Sequence, residues 1–184
     1  MLATQHRAPA QGWVPPGLAP VGRGPDLRQG YRGSGCDADL AGAVLPEAVR
    51  SALIVNLLTE DNLPYYFRDI EMMFGKDGAW GAWARRWTAE EGRHSIAIRD
   101  YLTVTRLVDP IALERDRMAQ VGAGMVPSPP SSADGVAYVA LQELATRVSH
   151  RATGSMLDGV GYKVMARVAA DENFHFIFYR DLAA

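Results

Sequence analysis

Two of the chain's four histidines stand three residues after a glutamate, in Glu91-Gly92-Arg93-His94 and in Glu172-Asn173-Phe174-His175. On a helix, residues three apart share a face, so each pair can offer a carboxylate and an imidazole to one ion. The chain has only eight glutamates in 184 residues. Two such coincidences then arise by chance about 1% of the time. The spacing extends the pattern, for Glu60 precedes Glu91 by 31 residues and Glu143 precedes Glu172 by 29. The chain therefore reads as two half-sites, each a glutamate on one helix and Glu-x-x-His on its antiparallel neighbour.

Burial gives this pattern a physical reason. Glu143 falls on a stripe with Val136, Val139, Ala140 and Thr146, and Glu172 falls with Met165, Val168, Ala169, Phe176 and Tyr179. Glutamates on such apolar faces are costly unless protonated or paired. Four carboxylates against two divalent cations sum to zero charge, which removes the cost. Imidazole with carboxylate oxygen suits iron or manganese, and the lone Cys36 supplies neither a thiolate site nor a disulfide framework. Carboxylate-bridged di-iron and di-manganese bundles are known to use this arrangement, so the pattern matches an established design.

Three of the acids have acidic neighbours: Asp61, Glu90 and Asp171. The three-residue step to histidine favours Glu91 and Glu172 as ligands over Glu90 and Asp171. Metal-bound histidine usually donates its other ring N–H to a carboxylate. Asp171 is therefore expected to hold His94, and Glu90 to hold His175, each within about 3.5 Å. Thr146, one turn beyond Glu143, has two readings: core filler bonding its own backbone, or a hydroxyl that delivers protons. His6 and His150 receive no role, and Trp83 with Trp87 reads as core packing.

Residues 1–44 are rich in Gly, Pro and Arg without a sustained period, and read as a loosely structured arm. From 45 to 184 the spacing predicts an all-α unit. The first helix starts at Pro46, runs through Leu53, Leu57, Leu63 and Phe67, is kinked or relaxed at Pro64, and ends by Gly75 and Gly78. The second spans about 79–107, a short helix 110–120, the third 133–152 with Gly154 as its stop, and the fourth 159–182. One crossover of about 26 residues joins helices two and three, which makes this a ferritin-like four-helix bundle. The formal net charge of -2 gives no electrostatic case for nucleic acid. No apolar run reaches the roughly 18 residues of a transmembrane helix, and a cytoplasmic setting is expected.

At the ligand positions the sequence resembles the soluble acyl-carrier-protein desaturases, particularly their actinobacterial branch, within the ferritin-like di-iron carboxylate superfamily. The resemblance rests on Asn56-Leu-Leu-Thr-Glu-Asp-Asn-Leu-Pro64, Trp87-Thr-Ala-Glu-Glu-Gly-Arg-His94, Gln142-Glu-Leu-Ala-Thr-Arg-Val-Ser-His150 and Ala169-Ala-Asp-Glu-Asn-Phe-His175. It covers about residues 48–183. It implies an O2-dependent enzyme that inserts a cis double bond into a fatty acyl chain on acyl carrier protein, with two Fe(2+) ions per chain. Carried over by position, the ligands are Glu60, Glu91, His94, Glu143, Glu172 and His175. Thr146 resembles the family's oxygen-activation threonine, and Asp171 a carboxylate in its electron path. Ferredoxin or a similar donor, and a homodimer, belong to the same implication.

Gly92 stands where the family usually has Asn. The family usually carries an electron-path tryptophan in earlier helical sequence, for which Trp13 is a weak candidate. Family chains also continue well past the last ligand, so this one is expected to be shortened at its C-terminus. Two other readings remain open: a rubrerythrin- or ferritin-like di-iron oxidase, and a truncated, non-catalytic helical metal-binding protein. The arginines at 85, 86, 93 and 99 fit either an acidic carrier or a solvated helix face.

Overall fold

The computed structural model describes residues 13–19, 45–124, 126 and 128–184. Every regular element among them is helical: α1 (Pro15–Leu18), α2 (Glu47–Glu60), α3 (Leu63–Phe74), α4 (Gly78–Val104), α5 (Pro110–Ala123), α6 (Ser132–Gly154) and α7 (Gly159–Ala183). The bundle consists of α2 with α3, then α4, α6 and α7, and α5 lies in the long crossover between its two halves. This is the ferritin-like connectivity. None of these helices is long and apolar enough to cross a membrane.

The expected first helix is two helices. Pro64 has no N–H, and its ring would meet the carbonyl four residues back, which is that of Glu60. The chain breaks there, at Asp61–Asn62, and α3 restarts with Pro64 in its first turn. Glu60 thus becomes the last residue of α2.

The later boundaries follow from capping. Gly75 closes α3 at φ 81°, a conformation that a Cβ would strain. α4 stops at Val104, three residues before the expected end. Arg106 turns left-handed at φ 59°, and Leu107 N–H bonds Leu102 O at 3.1 Å. That is a Schellman stop, and the buried side chains of Leu102 and Leu107 supply its apolar contact. Asp109 caps α5 by accepting from the N–H groups of Ile111 and Ala112, and α5 runs three residues past Gln120 to Ala123. Arg117 clamps α5 to the α2–α3 break through two bonds to Asp61, at 2.6 and 2.8 Å.

The core is divided. One apolar cluster joins Leu53 and Leu57 to Ile98, Leu102, Val164 and Met165. A second joins Ile70, Trp83 and Trp87 to Val139, Phe178 and Tyr179. Between them lies a belt of buried polar residues from Glu60, Glu90–His94, Glu143–His150 and Asp171–His175. The expected stripes are buried apart from Thr146 and Phe176, which are half-buried.

Trp13–Ala19 carries a turn of helix where the sequence suggested loop, and packs on α4 and α7. The remainder of the expected arm, 1–12 and 20–44, lies outside the described residues, as do His6 and Cys36.

Candidate metal centre

Each of the four bundle helices sends one glutamate inward, and α4 and α7 add a histidine one turn further along. His94 and His175 have no exposed surface, and Glu60, Glu91, Glu143 and Glu172 are at most 7% exposed. Nδ1 of His94 lies 2.9 Å from Glu172 Oε1, 3.3 Å from Glu91 Oε2 and 3.5 Å from Glu60 Oε2. Nδ1 of His175 lies 2.6 Å from Glu91 Oε1 and 3.7 Å from Glu143 Oε2. Two groups of ligating atoms result, Glu60–Glu91–His94–Glu172 and Glu91–Glu143–Glu172–His175, each with its atoms within 4.8 Å of one another. Glu91 and Glu172 belong to both.

The outer ring nitrogens meet the neighbouring acids. His175 Nε2 donates to Glu90 Oε2 at 3.2 Å, and His94 Nε2 lies 3.5 Å from Asp171 Oδ2. Each acid in turn meets arginine: Arg86 bonds Glu90 at 3.0 Å, and Arg167 bonds Asp171 at 3.0 Å. Arg93 also approaches Asp171, at 3.6 Å. So Arg86 and Arg93, read from sequence as facing a carrier or solvent, have partners behind the site.

Charge is unevenly settled in this belt. Burial pushes the Glu60 carboxyl up and Glu172 adds to that, but bonds from His150 and His94 hold it below the usual range. Glu172 is likewise depressed, its burial overcome by His94 above all. Glu143 goes the other way: burial, then Glu172 and Glu91, raise it well above 4.5. Burial opposes charge on both imidazoles, yet Glu91 and the surrounding acids raise His94 and His175 well above 6.5. Burial also disfavours charge on Glu90, but His175 and Arg86 bring it down to about 2.

The geometry suits cations. Nδ1 of His94, Oε1 of Glu91 and Oε1 of Glu172 have no hydrogen-bond partner among the described residues, though they converge within a few ångströms. Buried polar atoms left so are costly. Lone pairs aimed at a shared point are what divalent ions with N and O ligands require.

Three further side chains bond the ligands directly, and Trp13 bonds Asp171 behind His94. Thr146 Oγ1 lies 2.8 Å from Glu172 Oε2 and 3.1 Å from the carbonyl oxygens of Gln142 and Glu143, so its one proton has both backbone and site acceptors in reach. Trp13 Nε1 donates to Asp171 Oδ2 at 2.8 Å, with its ring nearly parallel to His94 at 6.4 Å between centroids. Trp87, expected as packing alone, is buried but also donates Nε1 to Glu143 Oε1 at 3.2 Å. His150, expected to be ordinary, is 1% exposed and bonds Glu60 Oε1 at 2.7 Å. Its place seven residues after Glu143, on the same helical face, was the available signal. A cavity of about 20 Å³ adjoins the carboxylates, lined by Leu63, Tyr66, Trp87, Gln142 and Thr146 among others. It holds about one water-sized molecule.

A ferritin-like bundle with a carboxylate–histidine cluster across its four helices is the class that fold and site define. The sequence profile of the fatty acid desaturase family matches residues 4–184, and the chain belongs to that family. The candidate acyl-(acyl-carrier-protein) desaturase DesA1 of Mycobacterium tuberculosis is 46% identical over 188 aligned residues, covering 97% of this chain and 55% of the relative. The chloroplastic stearoyl-(acyl-carrier-protein) 9-desaturase 6 of Arabidopsis thaliana is 37% identical over 145 residues, or 72% of this chain and 37% of the relative. The X-ray structure of the candidate acyl-ACP desaturase DesA2 from Mycobacterium tuberculosis H37Rv superposes with a TM-score of 0.74 at 27% identity. That match covers 98% of this chain and 64% of the other. The chain thus spans about half or less of the length of these curated relatives.

Proposed function

We propose that this chain holds two ferrous ions between α2, α4, α6 and α7, and acts as a desaturase on fatty acyl chains carried by acyl carrier protein. The observation that carries the reading is the pair of four-residue ligand groups sharing Glu91 and Glu172. Glu60 and His94 complete one group, and Glu143 and His175 the other. Iron bound there would supply the step that no acid or base side chain can perform, removal of hydrogen from an unactivated C–H bond.

The chain's own residues do the rest. Glu90 and Asp171 orient the two imidazoles with Nδ1 inward. Thr146 holds a proton at Glu172 Oε2, beside the small cavity. The two apolar clusters on either side keep bulk water from the belt. Trp13 extends the contact from His94 and Asp171 toward the surface, between the guanidinium groups of Arg93 and Arg167. A ferredoxin or similar donor would deliver two electrons per turnover on that side. The relatives' names support the carrier-bound substrate, and a homodimer in the cytoplasm goes with the same reading.

Iron-loaded protein incubated with stearoyl-acyl carrier protein, O2, ferredoxin and its reductase tests it. Desaturation removes two hydrogens from the chain, and these, with O2, two electrons from the donor and two protons from solvent, yield two waters. Mass spectrometry of the released acyl group should show the loss of two hydrogens. Oxidation of ferrous iron by O2 or peroxide without any change in the acyl chain would overturn the desaturase reading in favour of an oxidase.

A further inference from the structure

The two glutamates that belong to only one ligand group are held differently. Glu143 sits within α6 and accepts from the indole of Trp87 at 3.2 Å. Glu60 is the last residue of α2, at a helix end, where backbone groups lack their helical partners. Its side chain instead has a shorter bond, 2.7 Å, from His150 Nε2. A carboxylate only accepts, so Nε2 carries the proton. Two further bonds join the same helices one turn away. Ser149 Oγ donates to Asn56 Oδ1 at 2.7 Å, and Asn56 Nδ2 donates to Thr153 Oγ1 at 3.1 Å. This polar seam, buried at Asn56, Thr153 and His150 and open to solvent at Ser149, sets α2 in register on α6, and His150 is its end nearest the ligands.

We propose that His150 is a positioning residue for the metal centre: it holds Oε1 of Glu60, so that Oε2 alone faces His94 and the shared glutamates. The inference rests on the metal reading above. Oε2 is the Glu60 oxygen found 3.5 Å from His94 Nδ1. Without His150 the carboxylate is free to turn both oxygens toward one ion or away from it. His150 Nδ1 has no hydrogen-bond partner among the described residues, so the bond to Glu60 is the one that orients this ring. Loss of such a partner typically costs about 10–100-fold in metal affinity.

The test is an anaerobic Co(2+) titration, followed by visible d–d absorbance, of the wild-type chain and of His150→Gln, His150→Asn and His150→Leu. Thermal unfolding of each metal-free chain is measured alongside. Gln carries an N–H near the position of Nε2, Asn falls short of it, and Leu removes the donor. Wild type and His150→Gln should bind about two ions with affinities within about threefold of each other. The Asn and Leu variants should lose about 10–100-fold at one site and keep the other. If the Leu variant fails to fold, the Gln–Asn pair carries the comparison. Equal binding by all four chains, or a Gln variant as weak as Asn, overturns the role of His150 and leaves the metal reading standing. A wild-type chain that takes up no Co(2+) overturns both.

Discussion

Lowering the pH from 7.5 to 6.5 should weaken the joint binding of two divalent ions by about a hundredfold to a thousandfold. In the metal-free chain Glu91 and its neighbours hold His94 and His175 protonated, with both values raised well above 6.5 despite burial. Burial and two nearby carboxylates also keep a proton on Glu143 to higher pH than usual. Each ligand must surrender its proton before it can bind an ion. Every proton displaced makes the binding constant change about tenfold per pH unit, weakening as pH falls. Two imidazolium protons give the hundredfold figure, and the Glu143 proton brings it to a thousandfold. Anaerobic calorimetry with ferrous iron, in two buffers of different ionisation enthalpy, counts the protons directly. About two to three should leave as the pair of ions binds. Release of fewer than one proton, or an affinity flat from about pH 6 to 8, would refute the charge assignment.

Thr146→Val removes the hydroxyl beside Glu172 without changing size much, so metal content should persist while turnover falls about a hundredfold. Glu90 has its folded value at about 2, below the ordinary 4.5, so its contribution to stability is present above pH 4.5 and is lost as pH falls toward 2. Glu90→Gln should flatten that part of the acid-unfolding curve of the metal-free chain. Gly154→Ala would place a Cβ 2.9 Å from Met165 Cβ where α6 meets α7, and should cost about 1–3 kcal/mol in denaturant unfolding.

The helical fold was legible because its signals are local. Periodicity, Gly75, Asp109-Pro110 and Gly154 mark the helices, and the length between helices two and three marks the crossover. The break at Asp61–Asn62 was half legible. Pro64 announced trouble, but placing the stop required following its clash back to the carbonyl of Glu60. The six named ligand positions stand together in the structure because a three-residue step and a roughly 30-residue repeat encode faces of neighbouring helices. The supporting contacts were less legible. His150 meets Glu60 across 90 residues, Trp87 meets Glu143 across 56, and Trp13 meets Asp171 across 158. Only packing decides such pairs, and none has a fixed sequence offset. Leu107 shows the same limit in small, for its contact with Leu102 ends α4 early although its own period continues the helix.

Metal content per chain tests directly whether the two ligand groups hold a pair of ions. The folded protein is loaded anaerobically with ferrous iron, freed of excess, and assayed for iron and protein together. About two irons per chain are expected. Near zero iron on a chain whose circular dichroism remains helical would contradict it.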